Sequence, residues 1–142
     1  MNTKRYIIAS LIVFVAVVIL DWIIHGLILS GTYKGYPEFF VSEITGGSII
    51  LEIIAGLIFG FIFCFIFAKG YEGKGILEGV RYGLWIGILL FLPSMFCSWA
   101  FIKLPKSLPF WWLILGVIQM IILGIIASAL YKPAGKEEPK QE

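Results

Sequence analysis

Two ionisable side chains, Asp21 and His25, lie four residues apart inside a long apolar stretch of the sequence. Because residues four apart stack on one face of a helix, the spacing predicts that both face the same neighbour. A carboxylate near the centre of a bilayer costs about 2.5 to 3.5 kcal/mol on insertion scales, so Asp21 should face protein or water. The pair therefore predicts a polar site within an apolar chain.

Four more polar residues are predicted to join this pair. Glu52 lies just after the start of the second apolar run, at a membrane depth similar to that of Asp21 and His25. Ser94 and Ser98 approach that depth on the third run, and Gln119 lies deeper on the fourth. We expect the six residues to form a buried polar cluster that opens toward the outer side of the membrane. Carboxylates and an imidazole in a low dielectric can carry protons or bind a cationic solute.

Two other interpretations of the cluster remain open. Asp21 and His25 could simply satisfy each other and tie helices together. His25 could instead be an axial ligand to a haem or a chlorophyll-type pigment, because imidazole suits such metals. Handling of protons or a small solute, with no cofactor and no metal site, is the favoured interpretation.

Enzymatic activity is not predicted. The chain has a single histidine, and it has no G-x-S-x-G or H-E-x-x-H motif, so the usual parts of a catalytic triad or a zinc site are missing from the sequence. Its formal net charge is only +2, with the basic residues placed between apolar runs. Nucleic acid is therefore not a predicted partner.

The elements that position these residues are four apolar runs. The chain is 60% hydrophobic and only 14% charged, whereas a soluble domain is roughly 45–50% and 25%. Runs near the ~20 residues that cross a bilayer are predicted to be helices, since helices satisfy their own backbone groups in lipid. We predict one domain, an all-α integral membrane four-helix bundle over 1–131, with spans at about 6–29, 49–68, 79–102 and 110–131 and a disordered cytoplasmic tail at 132–142.

The basic residues predict the orientation of the spans. Both termini and the middle loop carry Lys4, Arg5, Lys69, Lys74, Arg81, Lys132, Lys136 and Lys140, whereas the other two loops carry Lys34, Lys103 and Lys106. Because cytoplasmic loops are enriched in Lys and Arg, the N and C termini are predicted to be cytoplasmic. Trp99, Trp111 and Trp112 would then lie near the outer interface, which indole rings favour.

Small residues at four-residue spacing predict close helix packing. Gly79, Gly83 and Gly87 share one face of the third span, and Gly56 and Gly60 repeat the pattern on the second. Such spacing lets helices approach backbone to backbone. Packing within one chain is favoured, and a dimer seam is the alternative.

Two segments resemble a known group of proteins. The stretch Asp21-Trp22-Ile23-Ile24-His25-Gly26 and the loop Glu72-Gly73-Lys74-Gly75 that precedes the third span are similar to small four-span bacterial membrane proteins of unknown function. The resemblance implies the four-span fold and a multi-pass location in the bacterial inner membrane. It implies no catalytic role.

The predicted partners depend on the function. Membrane lipids are partners in either case. A transport function also implies a homo-oligomer, since four short spans form a transporter with difficulty. The alternative is a non-catalytic accessory subunit of a larger membrane complex, which would hold its cofactor through His25.

Overall fold

The computed structural model describes residues 2–40 and 44–132. All regular structure in these residues is helical, and they contain no strand. The elements are α1 (Thr3–Asp21), a π-helical segment (Trp22–Ile28) that continues α1, the short α2 (Ser30–Tyr33), α3 (Gly46–Lys69), α4 (Ile76–Phe101) and α5 (Ser107–Leu130). Four helices, counting α1 and the π-helical segment as one, are long and apolar enough to cross a membrane. The all-α fold with four candidate spans is confirmed.

The helices begin about one turn earlier than the apolar runs predict. The predicted starts at 6 and 49 become Thr3 and Gly46, because polar side chains cap both helices. Asn2 accepts a hydrogen bond from the Arg5 amide at 3.2 Å, and Thr45 accepts one from the Ser48 amide at 3.2 Å. The predicted tail at 132–142 lies outside the described residues except for Lys132.

The four long helices form two antiparallel hairpins. The most extensive contact is α4 on α5, followed by α1 on α3, and α1 also contacts α5 and joins the hairpins. Helices α3 and α4 follow each other in the chain but meet mainly through Tyr82, whose hydroxyl donates a hydrogen bond to the Phe63 carbonyl at 2.7 Å and whose ring packs on Phe63 and Phe67. We call the end with the α1–α3 and α4–α5 connections the His25 end, and the opposite end the Arg81 end.

Glycine sets the spacing of α4 and α5. A Cβ atom at Gly87 would lie 2.9 Å from the Val117 Cα, and Cβ atoms at Gly79 and Gly83 would overlap the backbone of α5. The two helices therefore meet backbone to backbone along this face. The face is used within the chain, which is the favoured interpretation of its small-residue spacing.

The contact of α1 with α3 is built in the same way. A Cβ at Gly60 would lie 2.8 Å from the Ser10 carbonyl oxygen, and one at Gly56 would lie 3.1 Å from the Phe14 ring. The Tyr6 hydroxyl adds a hydrogen bond to the Phe61 carbonyl at 3.0 Å. The core between the hairpins is apolar and contains Ala9, Val13, Val17, Phe63, Phe67, Met120, Leu123, Ala127 and Tyr131.

The loop at the Arg81 end is held by two carboxylates. Glu78 is buried and accepts hydrogen bonds from the backbone amides of Glu72 and Lys74, at 2.6 and 2.8 Å. The exposed Glu72 carboxylate pairs with Lys74 and Arg81, each at 2.6 Å. Hydrogen bonds from these two cations, that of Lys74 first, lower the pKa of Glu72 to about 2. The loop thus keeps its ion pairs at neutral and mildly acidic pH.

Candidate functional site

The helix that carries Asp21 and His25 changes its winding between them. From Trp22 to Ile28 the backbone is π-helical, and the Leu29 amide donates to the Ile24 carbonyl, five residues back, at 2.9 Å. The wider turn changes the directions in which the side chains leave the helix, and π-helical turns are frequent at functional sites. Asp21 and His25 consequently have different hydrogen-bond partners. The alternative in which the two satisfy each other does not describe this structure.

Asp21 is bonded across the bundle. The Gln119 side-chain amide donates a hydrogen bond to Asp21 Oδ1 at 2.8 Å. Gln119 is buried, with 4% of its surface exposed, and Asp21 is half-buried. The bond connects α1 to α5, and therefore one hairpin to the other.

His25 belongs to a chain of three polar rings. Its Nδ1 lies 2.5 Å from the Tyr33 hydroxyl, which also accepts the Trp112 indole N–H at 2.9 Å. A tyrosine hydroxyl has one proton to donate. Because Trp112 donates to Tyr33, the Tyr33 proton is free to go to Nδ1, and it does so in the tautomer of the neutral imidazole that carries its own proton on Nε2. Burial raises the pKa of Tyr33, so the phenol keeps that proton at neutral pH.

Replacing the Tyr33 hydroxyl should change the tautomer of His25. In the unaltered protein above the titration of His25, we expect the Nε2–H form to dominate, because Tyr33 donates to Nδ1. In Tyr33→Phe we expect a mixture of both tautomers. Nitrogen NMR of ¹⁵N-histidine-labelled protein measures this directly, since His25 is the single histidine. Tyr36→Phe in the same loop is the control, and an unchanged spectrum in Tyr33→Phe would disprove the hydrogen bond.

Three cavities meet at Asp21. The largest, the His25 cavity, measures about 520 Å³ and is lined by Asp21, His25 and Glu52, with Trp22, Gly26, Tyr33, Phe40 and Ile44 around them. The Ser94 cavity, about 160 Å³, is lined by Asp21, His25, Ser94 and Gln119, with Ile24, Phe91, Trp112 and Gly116. The Met120 cavity, about 270 Å³, is lined by Asp21, Glu52, Gln119 and apolar residues including Met120.

Five of the six predicted site residues thus line connected cavities. Ser98 is the exception: it is buried on α4 one turn beyond Ser94 and lines none of these three cavities. The cluster is more open than the sequence predicts, since the chain leaves His25, Glu52 and Ser94 exposed. Glu52 lies near the start of α3, away from Phe63 and Phe67, where α3 contacts Tyr82 of α4.

Sequence reasoning missed the aromatic part of the site. Trp112 was predicted at the membrane interface, and Tyr33 was not assigned to the site, yet both are bonded into it. Tyr33 and Phe40 also pack ring to ring at 4.3 Å between centroids. The available signal was the spacing of His25 and Tyr33, which are eight residues apart and so lie on one face if the helix continues.

Within residues 2–40 and 44–132, no three His, Cys, Asp or Glu side chains form a group that could hold a metal ion.

The chain was compared with protein-family models, curated proteins and solved structures, and nothing matches. A function for this chain therefore rests on the geometry of the site.

Proposed function

We propose that this is a non-catalytic multi-pass membrane protein that handles protons or a small cationic solute at Asp21, His25 and Glu52. One observation carries the proposal: two carboxylates from different helices and the single imidazole line one cavity of about 520 Å³. Pockets of roughly 300–1,000 Å³ with a few convergent polar groups are typical small-molecule sites.

The charges of the cavity favour a cation. Gln119 bonds to one oxygen of Asp21, and a carboxylate offers about four acceptor positions, so Asp21 can still accept from a solute. Glu52 adds a second carboxylate, and no Lys or Arg is among the described residues that line the cavity. His25 also lines the cavity, so a proton bound there would compete with a solute cation.

The membrane arrangement is part of the proposal. The distribution of basic residues supports cytoplasmic termini, which would open the His25 cavity to the outer side. The resemblance of the Asp21–His25 and Glu72–Gly75 segments to bacterial four-span proteins supports the inner membrane. An exposed Glu52 on a candidate span supports a homo-oligomer or a membrane complex, because a carboxylate facing lipid is costly.

Proton flux through reconstituted protein tests the proposal. Liposomes carrying the protein and a trapped pH-sensitive dye are given a pH gradient, with and without methylammonium outside. We expect faster dissipation than in empty liposomes, and at least about a tenfold slower protein-dependent rate in Asp21→Asn and Glu52→Gln, the range for loss of a positioned proton carrier.

Glu38→Gln is the matched control for these variants. Glu38 is an exposed carboxylate in the connection between α1 and α3, and it lines none of the three cavities. It should keep the unaltered rate. Equal rates in all three variants would show that Asp21 and Glu52 have no part in any flux.

A second candidate function is an accessory subunit that holds a haem or chlorophyll-type pigment through His25. The observation in its favour is the contact of Nδ1 with the Tyr33 hydroxyl: with a metal at Nε2, the imidazole would carry its proton on Nδ1 and donate it to Tyr33, as metal-ligating histidines normally donate their other ring N–H. The visible spectrum and subunit mass of detergent-purified protein test it. A bound chromophore lost in His25→Ala, or a co-purifying chain, would favour this function, and a colourless homo-oligomer would favour cation handling.

A further inference from the structure

A large apolar cleft separates α3 from α4. It measures about 520 Å³, and Ala55, Ile58, Phe59 and Ile62 line it from α3 while Leu89 and Leu90 line it from α4. Helices α3 and α4 meet through Tyr82 and Phe63, which also line the cleft, and beyond this contact the cleft stays open along the side of the bundle. The cleft has a larger volume than the Met120 cavity.

The cleft is continuous with the charged site. Ala55, Phe59 and Leu90 line both the cleft and the Met120 cavity, which is also lined by Asp21 and Glu52. The same two carboxylates line the His25 cavity. A molecule bound at the two carboxylates could therefore extend directly from the Met120 cavity into the apolar cleft.

Aromatic rings surround the charged part of the site. Trp22, Tyr33 and Phe40 line the His25 cavity beside Asp21 and Glu52. Aromatic faces attract cations, and most strongly those with weak hydration such as quaternary ammonium groups. A cation that carries apolar substituents would use the carboxylates, the rings and the cleft together.

We propose that the solute is a lipophilic organic cation, with its charge at Asp21 and Glu52 and its apolar substituents in the cleft between α3 and α4. This inference rests on the proposed function and deepens it, because a proton or a hydrophilic amine would use only the charged end. The two carboxylates disfavour lipophilic anions of the same shape.

Equilibrium binding of tetraphenylphosphonium tests the proposal. The protein is placed in lipid nanodiscs, and binding to empty nanodiscs is subtracted. We expect saturable binding of tetraphenylphosphonium and none of tetraphenylborate, which has the same shape and the opposite charge. Glu52→Gln and Asp21→Asn should each weaken binding at least about tenfold, the effect of losing one charged partner.

The cleft is tested by filling it. Ile58 lines the cleft and none of the three site cavities. Ile58→Trp should weaken tetraphenylphosphonium binding about tenfold or more and leave methylammonium binding unchanged, since only the larger cation needs the cleft. Ile58→Phe should have an intermediate effect and serves if the tryptophan variant does not fold. Ile118→Trp is the matched control, because Ile118 is exposed on α5 and lines neither the cleft nor the site cavities.

The outcomes separate this inference from the proposed function. If methylammonium or proton binding depends on Asp21 and Glu52 but tetraphenylphosphonium binding is unchanged in Ile58→Trp, a lipid tail or a second copy occupies the cleft and the lipophilic class is wrong. If binding of neither cation depends on the two carboxylates, the proposed function fails as well.

Discussion

Gly83→Ala should lower the free energy of unfolding by about 1–3 kcal/mol, the usual cost of overpacking a well-packed contact. The added methyl group would overlap the Met120 carbonyl and the Ile121 Cα on α5, and both are backbone atoms that cannot rotate away. The helices must therefore move apart along their most extensive contact. Equilibrium unfolding in nanodiscs or mild detergent measures the change.

Gly46→Ala is the control for this substitution. A Cβ at Gly46 would meet no atom within 4 Å, so the change should stay within about 0.5 kcal/mol, as at ordinary surface positions. Alanine is in general the better helix former, which makes a loss of stability at Gly83 specific to packing. Equal effects at both positions would refute a backbone-to-backbone contact of α4 with α5.

Gln119→Leu should cost about 1–2 kcal/mol, the range for interhelical hydrogen bonds in membrane peptides. The substitution removes the amide that donates to Asp21 Oδ1 and leaves the half-buried carboxylate without that partner. A double-mutant cycle with Asp21→Leu measures the coupling. The double variant should regain most of the lost stability, because two apolar side chains replace both polar partners.

The same variants distinguish a structural from a functional role of Asp21. The double variant should fold yet bind the cation at least about tenfold more weakly, because it has lost one of the two carboxylates of the His25 cavity. A folded double variant with unaltered cation binding would limit Asp21 to holding α1 on α5. Additive single effects would show that Asp21 and Gln119 do not interact.

The helices of this fold could be predicted because membrane spans follow from apolar length alone. Each starts about three residues earlier than predicted. Two of them, α1 and α3, begin where a polar side chain, Asn2 or Thr45, caps the helix and not at an apolar residue. Which helices pack together could not be predicted in the same way. Small residues mark faces that can approach closely, but neither Gly83 nor Gly60 identifies its partner helix.

The candidate site could be predicted in its charged residues and not in its geometry. An ionisable residue in an apolar run is conspicuous, so Asp21, His25 and Glu52 are found from sequence. The π-helical turn between Trp22 and Ile28 leaves no periodic signal in a mostly apolar stretch of sequence. His25, which bonds to Tyr33, lies within this turn. The cleft beside the site depends on how closely α3 and α4 approach each other, which no local pattern encodes.

Nitrogen NMR of His25 during cation titration tests the central claim most directly, because this single histidine reports only on the site. With methylammonium, and then with tetraphenylphosphonium, we expect a saturable shift of the imidazole resonances in the unaltered protein and in Glu38→Gln. Asp21→Asn and Glu52→Gln should weaken or abolish it. The claim would be contradicted by a His25 spectrum that ignores both cations and has the same pH titration in all four proteins.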